Sequence, residues 1–186
     1  MSDSTSDSTS APADRPGRSM RGSISALRIG QGFDVHRFSR DPDRPLVLGG
    51  VVVEGASGLI GHSDADVLSH ALADAMLGAA GLGDLGEHFP DDAPEWAGAS
   101  SIGLLTKVTE LVGTSGLEVV NADCTVVCER PRLSRHTADM GSNLAAVVGA
   151  PVSVKVKRAE GLGALGRVEG IACLTVVLLS SEGGSK

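Results

Sequence analysis

Large aromatic side chains are nearly missing from this sequence: it has no tyrosine, one tryptophan and three phenylalanines. A core must therefore be assembled from Val, Leu, Ile and Ala, and stacking platforms of the kind that hold single-stranded nucleic acid are excluded. Positive charge is scarce as well. Sixteen Lys and Arg stand against 23 Asp and Glu, a formal net charge of −7. That argues against a nucleic-acid partner, because a surface for the phosphate backbone has to be basic. It leaves room for a small cationic pocket. Cysteine is rare and odd in number. Cys124, Cys128 and Cys173 are expected as buried thiols in a reducing compartment, since Cys-x3-Cys with no further Cys or His beside it falls short of a zinc site. No apolar run reaches the ~18 residues of a membrane span, and no secretory hydrophobic segment is visible. The sequence predicts a soluble cytoplasmic protein with no membrane partner.

Apolar residues nevertheless make up 41% of the 186 positions, enough for one packed domain. Residues 1–26 are rich in Ser, Asp, Pro and Gly without periodicity, and are expected to be a disordered, dispensable tail. The domain is expected over residues 27–182, with a frayed end at 183–186. Within it, "ALRIGQGFDVHRF" reads as a strand and "RPLVLGGVVV" as a hairpin or bulge around Gly49 and Gly50. The segment from Gly61 to Gly83 reads as a helix. Ser63 can N-cap it, with Asp66 completing a capping-box-like start, and Gly81 and Gly83 stop it. A long polar loop follows, then a second helix from Ser100, whose Ile102, Leu105, Val108 and Leu111/Val112 keep the helical period. A strand over 117–131, a third helix from Arg132 and two last strands around a Gly-rich connection complete the order β-β-α-α-β-α-β-β. That order predicts an α+β fold, a mixed sheet with helices packed on one face.

Alternate residues of a strand share a side, so Asp34 and His36 project together while Phe33 and Val35 face the other way. Two convergent ligands make half of a tetrahedral site, although a surface Asp-x-His on an edge strand has the same pattern. Asp66, His70 and Asp74 fall at i, i+4 and i+8 of the helix, off its apolar stripe. A histidine flanked by carboxylates can give one ring nitrogen to a metal and the other to a supporting acceptor, the roles read here for His70 with Asp66 and Asp74; a solvated helix face is the alternative. Two His and one Asp would leave the fourth position of a zinc ion open, as in catalytic sites. His62 and Ser63 precede the helix, where unpaired N–H groups and the dipole favour a phosphate, though His62 also reads as a plain loop residue. Along "VSVKVKR", Val152, Val154 and Val156 turn inward, and Ser153, Lys155 and Lys157 outward, with Arg158 at the end. This is either a lysine-protected edge or a phosphate cradle, with Glu160 available to a hard divalent ion.

"GFDVH", "GHSDADVLSHALADAMLGAAGLGDLGEHFPDD" and "GRVEGIA" together resemble the 2-C-methyl-D-erythritol 2,4-cyclodiphosphate synthase family, over about residues 28–180. The resemblance implies a zinc-dependent homotrimer with active sites at subunit interfaces. Its members close 4-diphosphocytidyl-2-C-methyl-D-erythritol 2-phosphate into the cyclic diphosphate and release CMP. It implies that Asp34, His36 and His70 hold zinc, and that His62 and Ser63 hold the substrate's phosphate, with His62 aiding the transition state. Asp84, Leu85 and Gly86 would meet the methylerythritol hydroxyls, as would Phe89, Pro90, Asp91 and Asp92. Cys128, Glu129, Arg130, Pro131, Arg132, Leu133 and Ser134 would line the cytidine pocket of the neighbouring subunit. Glu160 would hold Mg2+ or Mn2+ across the diphosphate.

The chain departs from the family pattern at that end. Lys157, Arg158 and Ala159 replace a Thr-rich run, Arg158 standing where a Thr is credited with transition-state help. Ala164 replaces an aromatic, Leu165 a Thr, and Ala93 an acid. Lys157, Arg158, Ala159, Ala164 and Arg167 are still expected at the diphosphate, with Arg158 catalytic and, together with Lys157, partly replacing the second ion through charge-assisted bonds. Two other functions remain open: a degenerate zinc-containing trimer that binds isoprenoid diphosphates at Arg167 and Glu169, and a zinc hydrolase using a metal-bound water.

Overall fold

The computed structural model describes residues 27–90 and 92–181. The expected tail at 1–26, the frayed end and Asp91 lie outside the described residues.

Strand β1 (Leu27–Arg37) enters first and carries the "GFDVH" segment. A separate hairpin follows, β2 (Pro45–Leu48) and β3 (Val51–Ser57). Its turn is Gly49-Gly50, with φ of 55° and 69°, the left-handed pair that matches the twist of two-residue hairpins. Helix α1 (Val67–Ala80) comes next and ends on Gly81 in the left-handed region. The expected plain loop holds two short pieces, helix α2 (Leu85–His88) and a 3-10 turn at Pro94–Trp96. Helix α3 (Ser101–Thr114), β4 (Leu117–Val127), helix α4 (Thr137–Val148), β5 (Val152–Lys157), the short α5 (Gly163–Gly166) and β6 (Gly170–Ser181) complete the chain. The main sheet has the order β1-β6-β4-β5. Only β4 and β5 run parallel; β6 is antiparallel to both neighbours. The sheet is therefore mixed, and the fold α+β, as the element order predicts. The third helix starts at Thr137, not Arg132. Leu133 extends the apolar spacing of Met140, Leu144 and Val148, but it is buried from a turn.

Helix α1 lies over β1 and β6, and the contact with β1 is backbone on backbone. A Cβ at Gly32 would overlap the Ala71 carbonyl, and one at Gly30 the Ala75 carbonyl. Two strand residues advance about 6.6 Å and four helix residues about 6 Å, so the elements stay in step. One step beyond Gly32 sets Asp34 beside the first turn of α1, where His70 stands.

Asp66, not Ser63, caps α1. Its Oδ1 accepts the N–H groups of Leu68 and Ser69 at 3.1 Å each and of Gly49 at 2.8 Å. Its Oδ2 accepts Gly50 N–H at 2.9 Å and the Ser69 hydroxyl at 2.8 Å. Burial pushes this carboxyl above its ordinary range, while the N–H groups of Gly50 and Gly49 and the Ser69 hydroxyl pull it back. One fully buried side chain thus starts the helix and fixes the hairpin turn.

The core is aliphatic, as the aromatic shortage requires; Phe89 is the only large aromatic buried among the described residues. The sheet face away from the helices is open. Ile29, Phe33 and Val35 of β1 and Leu174 and Val176 of β6 stand 42–76% exposed on it. Towards β4 and β5 the same face turns polar, with Asp123 paired to Lys155. Among the described residues, no helix is long and apolar enough to cross a membrane.

Candidate active site

Asp34, His36 and His70 converge. Asp34 Oδ2 lies 3.0 Å from both His36 Nε2 and His70 Nδ1, and those two nitrogens are 3.3 Å apart. The far sides of both rings fix their tautomers. His36 Nδ1 is 2.7 Å from the Ile60 carbonyl, which can only accept, so Nδ1 carries the hydrogen. His70 Nε2 is 2.8 Å from Ser101 Oγ, whose own hydrogen goes to the Asp64 carboxylate. Ser101 therefore accepts from His70. A carboxylate oxygen and two ring lone pairs consequently face one another, a donor set of one O and two N suited to a borderline cation with an open coordination position. Among the described residues this is the only cluster of its kind. Burial pushes the Asp34 carboxyl up; when the two imidazoles are protonated on the sides facing it, in place of offering lone pairs, their hydrogen bonds and charge outweigh the burial and hold the group well below the ordinary carboxylate range.

The supporting residues differ from those read in the sequence. Asp66 belongs to the cap and hairpin, and Asp74 accepts Leu85 N–H at 2.8 Å; neither hydrogen-bonds His70. Ser101 and Asp64 take that role. Ser101 had the signature of a helix start and Asp64 that of a polar residue among several, so only the packing of α3 against α1 reveals them. Ser101→Ala should leave the fold intact and weaken metal binding about 10–100-fold, read by competition with a chromogenic chelator.

A cavity of about 210 Å3 opens beside the triad, between His62 and Ser63 on one side and Leu85, Gly86 and Phe89 on the other. Trp96 and Leu104, which the sequence did not single out, close it. The Trp96 ring stands nearly perpendicular to Phe89 at 5.0 Å, with Lys107 Nζ 5.7 Å above it. Asp84 caps α2 through Glu87 N–H and does not line the cavity. Neither do Pro90 and Asp92, both exposed. His62 Nε2 is 3.3 Å from the Ala93 carbonyl. The first N–H groups of α1 already bind Asp66, so a phosphate held by His62 and Ser63 would not draw on them.

The loop after β4 forms a second cavity, of about 240 Å3, lined by residues 128–134 with Val156 and Arg158. It shares no residue with the first. Lys157 and Ala159 do not line it, although Lys157 fixes the loop through its carbonyl, 2.9 Å from Cys128 N. Arg158 was expected to aim its fork at a diphosphate; its Nε and Nη2 are on Glu129 Oε1 instead. Glu160 is exposed at φ 50° and belongs to no cluster of three metal-ligating side chains among the described residues. Ala164 is exposed in α5, and Arg167 pairs with Glu169 at 2.6 Å. Cys128 and Cys124 are buried, and burial pushes each thiol up to about 11, which favours the thiol over the thiolate.

Comparison with known proteins decides the family. The profile of the YgbB family matches residues 27–180. The chain belongs to the YgbB family. Among curated relatives, the 2-C-methyl-D-erythritol 2,4-cyclodiphosphate synthase of Enterococcus faecalis is 49% identical over 156 residues, covering 82% of this chain and 98% of the relative. The synthase of the same name from Bordetella avium is 51% identical over 159 residues, 84% and 97% of the two chains. A solved structure of IspF from Plasmodium falciparum in complex with CDP superposes with a TM-score of 0.72 at 31% identity, covering 84% of this chain and 97% of that one. The YgbB match starts and ends with the sheet: it includes every ligand of the triad and both cavities.

Proposed function

We infer that the chain is a lyase of non-mevalonate isoprenoid biosynthesis. It closes 4-diphosphocytidyl-2-C-methyl-D-erythritol 2-phosphate into 2-C-methyl-D-erythritol 2,4-cyclodiphosphate and releases CMP. The observation that carries this reading is the convergent Asp34–His36–His70 set opening on a small cavity, in a chain 49–51% identical to synthases of that name.

The nucleophile is an oxygen of the substrate's own 2-phosphate. It bonds to the β-phosphorus as the bond from that phosphorus to the bridging oxygen breaks, and CMP leaves with the electron pair. No protein nucleophile is required. The chain has to bend the substrate so that attack is in line and has to offset the charge of clustered phosphates. His62 and Ser63 border the triad and hold the phosphate there, while Leu85, Gly86 and Phe89 fit the methylerythritol carbons and hydroxyls. Zinc is the ion that best suits two imidazoles and a carboxylate with one open position, and when bound it supplies Lewis acidity to the phosphate oxygens. Glu160 is the residue available to a magnesium or manganese ion at the diphosphate.

The 128–134 cavity takes the cytidine end through its other side chains and the loop backbone, the Glu129 carboxylate being committed to Arg158 and the Ala159 N–H. Because the nucleotide and metal cavities share no residue in one chain, a single substrate reaches both most simply across an interface. The open apolar sheet face supports such an assembly, and we propose a homotrimer with each site shared between neighbours. Three buried free thiols suit the reducing cytoplasm.

Phosphorus NMR of the protein incubated with substrate tests the reading. Cyclic diphosphate and CMP are expected, with a mass of three chains by light scattering. Open-chain hydrolysis products would identify a hydrolase, and unchanged substrate would leave a binding protein without cyclase activity.

A further inference from the structure

We propose that Glu129 is a positioning residue that grips one edge of Arg158, so that the free edge of the guanidinium meets the phosphates of a nucleoside diphosphate in the 128–134 cavity. The inference rests on the reading of that cavity as the nucleotide site.

Two residues from different elements make this grip. Glu129 is the second residue of the loop, and its side chain is 9% exposed; Arg158 follows β5, and its side chain is 59% exposed. The carboxylate is fully used. Oε1 accepts Arg158 Nε at 2.9 Å and also Nη2, and Oε2 accepts Ala159 N–H at 3.1 Å. Hydrogen bonding and charge from Arg158, followed by the N–H groups of Gly161 and Ala159, hold the Glu129 carboxyl below its ordinary range. The guanidinium is not fully used. It has five N–H donors, and two go to Glu129. The remaining three have no acceptor among the described residues, and Arg158 lines the cavity.

An ordinary surface pair leaves both partners mobile and contributes little. Here the acid is sheltered and also tied to backbone, so it fixes the arginine's plane. A planar fork fixed along one edge is a preorganised receptor for phosphate oxygens, which accept two parallel N–H bonds. Arg158 is thus the contact residue and Glu129 acts through it. The opposite arrangement, in which Glu129 competes with phosphate for Arg158, would require the bound carboxylate to leave; with three donors unused, it need not.

Calorimetric titration of the intact protein with CDP and, separately, with cytidine tests this. The parent should bind CDP more tightly than cytidine. Arg158→Ala should weaken CDP by about tenfold or more, the loss of charge-assisted bonds, and leave cytidine unchanged. Glu129→Gln should weaken CDP by a smaller factor with cytidine again unchanged, and should have no further effect in the Arg158→Ala background. Equal CDP affinity in Arg158→Ala and parent overturns the inference alone. So does tighter CDP binding by Glu129→Gln, which would mark Glu129 as a competitor, or a Glu129→Gln loss that persists without Arg158 or extends to cytidine, which would mark a purely structural role. A parent that binds no CDP overturns the nucleotide reading and the inference with it.

Discussion

Replacing His70 with alanine is expected to empty the metal site and stop turnover together. The imidazole supplies one of three converging donors, and the remaining Asp34 and His36 sit on one strand without a partner from the helix. Loss of a direct ligand should exceed the roughly 10–100-fold penalty of losing a supporting residue. Turnover should fall by about 10³-fold or more, since even one preorganised donor at a developing charge is worth ~10²–10³. The helix should survive, because alanine is the best helix former and the apolar face of α1 is untouched. Elemental analysis and a product assay on the same preparation provide the check. Full metal occupancy in the variant would remove His70 from the ligand set, and parental turnover without metal would detach the reaction from the site.

Asp66→Ala should produce the largest stability loss in the domain. The substitution strands the N–H groups of Gly49, Gly50, Leu68 and Ser69 and the Ser69 hydroxyl around a void. A buried donor left unpaired costs about 1–3 kcal/mol, and an N-cap alone about 1 kcal/mol. A total on the order of 3–5 kcal/mol follows if relaxation and water recover part of the loss. Asp66→Asn should recover little, because its amide would point a donor at another donor. Urea unfolding of both variants measures this, and a change below about 1 kcal/mol would show that water takes over the carboxylate's contacts.

Asp66 also shows where a sequence is readable and where it is not. The spacing Asp66, His70, Asp74 is compatible with a flanked metal histidine, yet spacing within one helix says nothing about what the other elements present. The hairpin turn, 16 residues earlier in the chain, claims Asp66, and the Leu85 N–H claims Asp74. The alternation of β1 was more informative, because a strand fixes its two faces locally: Asp34 and His36 do share a side, and Phe33 and Val35 do lie on the other. Mixed sheet, hairpin, α1 and α3 were legible for the same reason, through period and glycine placement. The Ser101–Asp64 support of His70 was not, since it forms across 37 residues. Nor was the Glu129–Arg158 contact: a cationic strand end in an acidic protein suggests an anion, but not that the chain brings one of its own.

Backbone rests on backbone at Gly30 and Gly32, so the spacing between the strand and the helix that carry the ligands depends on no rotamer. An arriving ion finds its donors already spaced and has little left to organise. Removal of an ion by a chelator and reloading would then leave the strand–helix frame in place, and that frame sets the span the donors have to bridge. A methyl group at Gly32 would wedge strand from helix and reset that gauge without touching any ligand. An inventory of the site drawn up by functional group alone would omit the two positions against which it is calibrated.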